Sequence, residues 1–153
     1  MTAPLSQLQS QVQALFEQSQ LLHDYLLQEK QSLEQQDYSQ LLEIAPRKQQ
    51  QVETLQQLEQ NCKQLCGSQG IHSRIMQTAD HSLIQLWNNT QKLIKNCQQQ
   101  NDVNGLLIQR SSQINQATLG ILTGKSPLEE HGQTYNAQGS QHSGNSILND
   151  IQA

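Results

Sequence analysis

The sequence predicts an all-α protein: an antiparallel helical hairpin, a long third helix that completes a three-helix, coiled-coil-like bundle, and a flexible C-terminal tail. Three observations carry that prediction. Apolar residues recur in steps of three, four and seven through three long segments, the spacing that keeps them on one helical face. Glutamine fills the positions between them, 32 residues of 153, and glutamine is a good helix former with little tendency to cap or turn. Cap and breaker residues cluster at residues 36–39, 66–70 and 123–127, where helices should end. Leu, Ile, Val and Phe total 36 residues, enough for a seam between helices but thin for a many-layered core.

The first helix is expected over about residues 5–35, with Pro4 at its first helical position, where a missing N–H costs nothing. Leu5, Leu8, Val12, Leu15, Leu22, Leu26 and Leu33 form its seam, and Ser19 and Glu29 interrupt it. Phe16, Leu21, Tyr25 and Leu27 widen the stripe toward that of a bundle helix. Asp37 and Ser39 are both N-cap types, so a tight turn starts a second helix at about 39–66. That helix carries Leu41, Leu42, Ile44, Val52, Leu55, Leu58, Cys62 and Leu65. Pro46 should kink it or divide its first turn from the rest. Lys48 lands near the stripe, with a stem able to snorkel to solvent. Gly67 suits the position after the helix, and so short a turn between two long helices makes them antiparallel.

Ile71, Ile75 and Met76 predict a short connector packed on the hairpin's end. Asp80 or Thr78 caps the third helix, expected over 79–122. Leu83, Thr90, Cys97, Asn104, Ser111 and Thr118 share one heptad position; Leu86, Leu93, Gln100, Leu107, Ile114 and Ile121 share the other. The phase survives Asn104-Gly105, which a loop would have no reason to preserve, so one continuous helix is expected; a break near Asn104 is the alternative. The helical domain is therefore 1–122, and residues 123–153 form the tail, too polar to hold a core of its own.

Composition excludes several functions. The net charge of −4 and five aromatic residues offer neither a basic footprint nor stacking platforms for nucleic acid. No apolar run approaches the ~20 residues of a membrane span, and Met-Thr-Ala-Pro lacks the features of a secretory signal, so a cytoplasmic location is expected. Cys62, Cys66 and Cys97 match no common zinc spacing even with His72 and His81 nearby; they are expected to be reduced core residues. No nucleophile–base pattern or phosphate loop appears. No enzyme activity, catalytic residue, metal or cofactor is expected.

Trp87 beside the third-helix seam reads as a core anchor rather than a partner hot spot. The set Leu106, Leu107, Ile108, Ile114, Leu119, Ile121 and Leu122 is different. It lies past the length that the first two helices can cover, by roughly 20 Å at 1.5 Å per residue. A protruding apolar face marks an interaction site, unless the tail or a second copy covers it.

The order of features also matches a family. A leucine-rich hairpin precedes N-D-V-N-G-L-L-I (Asn101 to Ile108), then L-G-I-L-T-G (Leu119 to Gly124), then a tail with Tyr135-Asn136-Ala137-Gln138-Gly139. This resembles the flagellar export chaperones of the FlgN type over nearly the whole chain, most specifically over 101–139. The resemblance implies a type III export chaperone that binds the C-terminal segments of the hook-filament junction (hook-associated) proteins. It would prevent their premature assembly and deliver them to the export gate. It places substrate binding on about Asn101 to Leu122 with part of the tail. It maps the tyrosine implicated in docking to the gate's cytoplasmic domain onto Tyr135, with Asn136 where the family pattern has Asp. The contrasting expectation is a self-assembling coiled-coil structural or adaptor protein, a homo-oligomer with no export role.

Overall fold

The computed structural model describes residues 4–124, which are helical apart from short connections. Helix α1 spans Leu5–Gln35, α2 spans Tyr38–Cys66, a single 3₁₀ turn covers Gly67–Gln69, α3 spans Ile71–Gln77 and α4 spans His81–Thr123. Helix α1 is the middle element, packed against both α2 and α4. The cross-helix bonds give the directions. Gln51 meets Gln18, Lys48 meets Glu29 and Gln40 meets Ser32, so α2 runs antiparallel to α1. Cys97 donates to the Ser19 carbonyl and Asn104 to the Leu26 carbonyl, so α4 runs parallel to α1.

The element ends follow local chemistry. Pro4 is the N-cap, with extended backbone, one position before the expected one, and its carbonyl accepts from the Gln7 amide at 2.9 Å. Asp37 rather than Ser39 caps α2, accepting from the Gln40 amide at 3.1 Å. Asp80 caps α4 through the Leu83 amide at 3.2 Å, and Thr78 accepts from the Asp80 amide, so both candidate capping residues act in one turn. Gly67, with φ of 63°, ends α2. Pro46 lies inside α2 without dividing it; the helix continues on both sides because its seam residues are held against α1.

The buried seam is a heptad on each long helix. On α1 it reads Leu8, Val12, Leu15, Ser19, Leu22, Leu26, Glu29 and Ser32. Ser19 and Glu29 are therefore members of the seam and not interruptions of it. On α4 the buried residues are Leu83, Trp87, Thr90, Ile94, Cys97, Asn101 and Asn104. The first heptad position is as expected from the sequence. The second is Trp87, Ile94 and Asn101, one residue beyond the expected Leu86, Leu93 and Gln100, which are only half-buried. Asn101 goes inside in place of Gln100 because it has a partner there in Lys48.

Helix α4 is continuous through Asn104-Gly105. A Cβ placed on Gly105 meets nothing within 4 Å, so no close approach requires glycine here. Gly105→Ala is expected to stabilise the protein by about 1 kcal/mol through helix propensity alone. Urea denaturation followed by circular dichroism would check this; a loss of stability would mean the glycine serves local backbone freedom. No helix among the described residues is long and apolar enough to cross a membrane.

Candidate functional site

The apolar core has a definite end. Its cluster runs from Leu8 to Leu26 on α1, from Val52 to Cys66 on α2 and from Leu83 to Cys97 on α4. One turn further along, the seam becomes polar. Lys48 Nζ lies 2.9 Å from Glu29 Oε2 and donates to Asn101 Oδ1 at 3.1 Å. Asn104 Nδ2 donates to the Leu26 carbonyl at 2.8 Å, and its Oδ1 accepts from Gln100 at 2.9 Å. Glu29 is 5 % exposed and Asn104 fully buried. Lys48 thus crosses from α2 into a layer shared by all three long helices, rather than snorkelling out. The sequence signals for this layer are Glu29, which interrupts the leucine seam, Lys48, which lands near the stripe of α2, and Asn104, which falls on the heptad of α4.

The polar layer fixes the alignment of α4. The Cys97 and Asn104 hydrogen bonds to α1 each span 78 positions, so the end of α1 at Gln35 is level with Gln113. About ten residues of α4, ~15 Å, extend past the hairpin. The overhang is shorter than its length alone suggests, because α4 starts level with the beginning of α1.

The seven aliphatic residues expected to bind a partner all lie on this arm or its root. Leu106 is 66 % exposed, Ile108 46 %, Ile114 59 %, Leu119 59 %, Ile121 82 % and Leu122 77 %, while Leu107 is half-buried. The helix does not gather them into one stripe. At about 100° per residue, Ile108, Leu119 and Leu122 stay within about 30° of the direction set by Asn101 and Asn104. Ile108 continues the bundle seam alongside α1, level with Lys30, and Leu119 and Leu122 carry it into the space beyond α1. Leu106, Leu107, Ile114 and Ile121 lie about 90° or more away, with Arg110 among them. Sequence reasoning counted heptads and so placed Leu107, Ile114 and Ile121 in the seam. A straight helix drifts by ∼20° per heptad, and over several heptads that carries these residues off the seam face. At the level of the arm's root, Tyr38 and Leu42 on the first turns of α2 are also exposed, at 52 % and 78 %. Sequence reasoning listed Leu42 as a seam residue and missed this exposed tip. Tyr135 lies outside the described residues.

The other residues of interest are structural. Trp87 is buried, and its Nε1 donates to His72 Nδ1 at 3.3 Å. Cys62, Cys66 and Cys97 are free thiols in the core. Burial pushes Cys62 and Cys97 up to about 12 from an ordinary 9.0, with Cys66 and Glu59 adding to the effect at Cys62. Cys66 is raised as well, mainly by burial, with Arg74 opposing. Among the described residues, no group of three or more His, Cys, Asp or Glu side chains is arranged to hold a metal.

A thiol held neutral by the fold contributes its stabilisation fully below its unfolded value and loses it as pH rises toward the folded one. Stability is therefore expected to fall between pH 9 and 12, and to fall less steeply in Cys62→Ala/Cys97→Ala. Urea denaturation of both proteins at pH 7 and pH 10 would check this. Parallel pH dependences would assign the alkaline loss to other groups.

A family model described as FlgN protein matches residues 1–143. Neither a curated protein nor a solved structure matches the chain.

Proposed function

Because the chain belongs to the FlgN family, a family of flagellar export chaperones, we propose that it binds the C-terminal segments of hook-filament junction proteins in the cytoplasm. It holds them from premature assembly and presents them to the cytoplasmic domain of the type III export gate. The observation that carries this reading is the α4 arm. Its core-side residues Leu119 and Leu122 continue the bundle seam beyond the last turn of α1, Ile108 leads into them from beside the last two turns, and the three are 46–77 % exposed. An amphipathic cargo helix laid there takes the place α1 vacates and adds the exposed Tyr38 and Leu42 at the hairpin tip, a helix-in-groove mode of recognition. Leu106, Leu107, Ile114 and Ile121 flank that groove. Tyr135 serves as the docking residue for the export gate, as the family resemblance implies.

This activity is a holding function with no chemistry. Cargo that would otherwise self-associate is kept monomeric by mass action, so neither a cofactor nor a catalytic residue takes part. The thiols support this division of labour: they are buried and neutral, the opposite of the exposed, acidic thiols that react.

The test is titration of a junction-protein C-terminal segment into the full chain by calorimetry. Ile108→Asp and Leu122→Asp are each expected to weaken binding at least about a hundredfold, since each puts a charge into a desolvated contact. Helicity and melting temperature should stay at wild-type values, because both residues lie outside the core cluster. Binding unchanged in both variants would remove the arm as the cargo site. A concentration-dependent dimer mass in light scattering, with no cargo binding, would instead make the protein a self-assembling coiled coil.

A further inference from the structure

The arm of α4 is apolar on two sides, and a cargo helix in the core-side groove covers only one of them. A helix with apolar residues on most of its circumference is one that becomes enclosed. We propose that the second side, made by Leu106, Arg110, Ile114 and Ile121, is covered by residues 146–151 of the same chain, Ser-Ile-Leu-Asn-Asp-Ile.

The chemistry of the two surfaces matches. Over residues 103–124 the sequence has a single charged residue, Arg110, set within the outer stripe; residues 146–151 have a single charged residue, Asp150. Ile147, Leu148 and Ile151 have the i, i+1, i+4 spacing that places them on one side of a helical turn, and Asp150 stands beside them to meet the guanidinium. Past Gly124, the other Leu, Ile or Val is Leu128 alone.

The connection supplies the rest. Gly124 caps α4 in the left-handed conformation, with φ of 69°, the arrangement in which a chain stops its helix and turns away from the axis. Between Gly124 and Ile147 stand 22 residues, and a flexible tether of that length has an r.m.s. span of about 26 Å. The stripe from Ile121 back to Leu106 is ~22 Å long at 1.5 Å per residue. Span and distance therefore match, the condition under which a tether gives its largest effective concentration, on the order of millimolar. Three aliphatic side chains make a contact too small to hold a separate molecule, and a tether of matched length is what lets so small a contact form.

Hydrogen exchange by mass spectrometry on the full chain tests this without any cargo. Compared with wild type, Ile147→Ser/Leu148→Ser/Ile151→Ser is expected to raise exchange over residues 106–122 by about tenfold. Amides of α1 serve as the internal reference, since the proposed contact lies on α4 alone. Arg110→Glu should produce the same rise, and Arg110→Glu/Asp150→Arg should return it toward wild type. Unchanged exchange in the triple variant overturns the proposal. Protection of residues 106–122 that grows with protein concentration also overturns it, by assigning the stripe to a second copy. Cargo binding that fails while the exchange difference stands would refute the proposed chaperone role and leave this contact intact.

Discussion

Lys48→Met is expected to destabilise the fold by about 3–5 kcal/mol, the range for removing one partner of a buried ion pair. The Lys48 side chain is 17 % exposed and that of Glu29 7 %, so solvent screens little of the interaction. The substitution leaves the Glu29 carboxylate buried without its cation and the Asn101 carbonyl oxygen without its donor. A loss of that size removes a large fraction of the 5–15 kcal/mol typical of a folded domain. It should appear as a drop of ~10 °C or more in melting temperature. The partner experiment is Glu29→Leu/Lys48→Met. Replacing both charges by apolar residues of similar length removes the unpaired carboxylate but still leaves Asn101 Oδ1 without its donor, so stability is expected to recover to within about 1–3 kcal/mol of wild type. Urea titration of the single and double variants measures both values. Equal losses in the two would mean that the layer is held by packing and not by charge.

Trp87→Ala should cost about 3–5 kcal/mol as well, through a different mechanism. Trp87 is the largest fully buried side chain, 1 % exposed at the level of Leu83 and Ile94. Truncation leaves a cavity that three converging helices cannot close by small shifts. Trp87→Phe keeps most of the volume and loses the Nε1 bond to His72, so its cost should be about 1 kcal/mol. Trp87 is the single tryptophan, which makes wild-type fluorescence a direct probe of the core during denaturation. If Trp87→Ala left stability unchanged and weakened cargo binding, the side chain would belong to an interface, the reading its burial opposes.

The two predictions bear on one functional question, namely why the seam stops where it does. Core, polar layer and arm follow one another along α4. The core holds the first half of the helix by hydrophobic burial, at about 1.5–3 kcal/mol per fully buried aliphatic side chain. The layer permits one alignment, because Asn101 and Asn104 find partners only when Cys97 is level with Ser19 and Asn104 with Leu26. A sliding apolar seam would lack that discrimination; single polar residues at seam positions specify register in coiled coils in the same way. The arm is left beyond the layer with aliphatic residues in solvent. The layer thus decides how much of α4 is available to a partner.

Much of this protein was legible from its residues. The helical class, the bounds of α1 and α2, the continuity of α4 through Gly105 and the burial of Trp87 follow from periodicity, caps and breakers. Those signals are local: they act within one or two turns and depend on no distant residue. The family resemblance was legible because its motifs lie in order along the chain. What the sequence left undecided required knowing which helix lies against which. Ser19 and Glu29 looked like gaps until Cys97 and Lys48 came to meet them. Lys48 looked like a surface residue until Asn101 and Glu29 stood on either side of it. The aliphatic residues of the arm looked like one stripe because heptad counting presumes a partner that keeps the helix coiled. Past Gln35 α1 supplies none, and Ile114 and Ile121 fall on a different face from Leu119 and Leu122. Local spacing determined that helices form and roughly where they end; only the three-helix packing decided which polar residues are interior and how far α4 reaches beyond its partners.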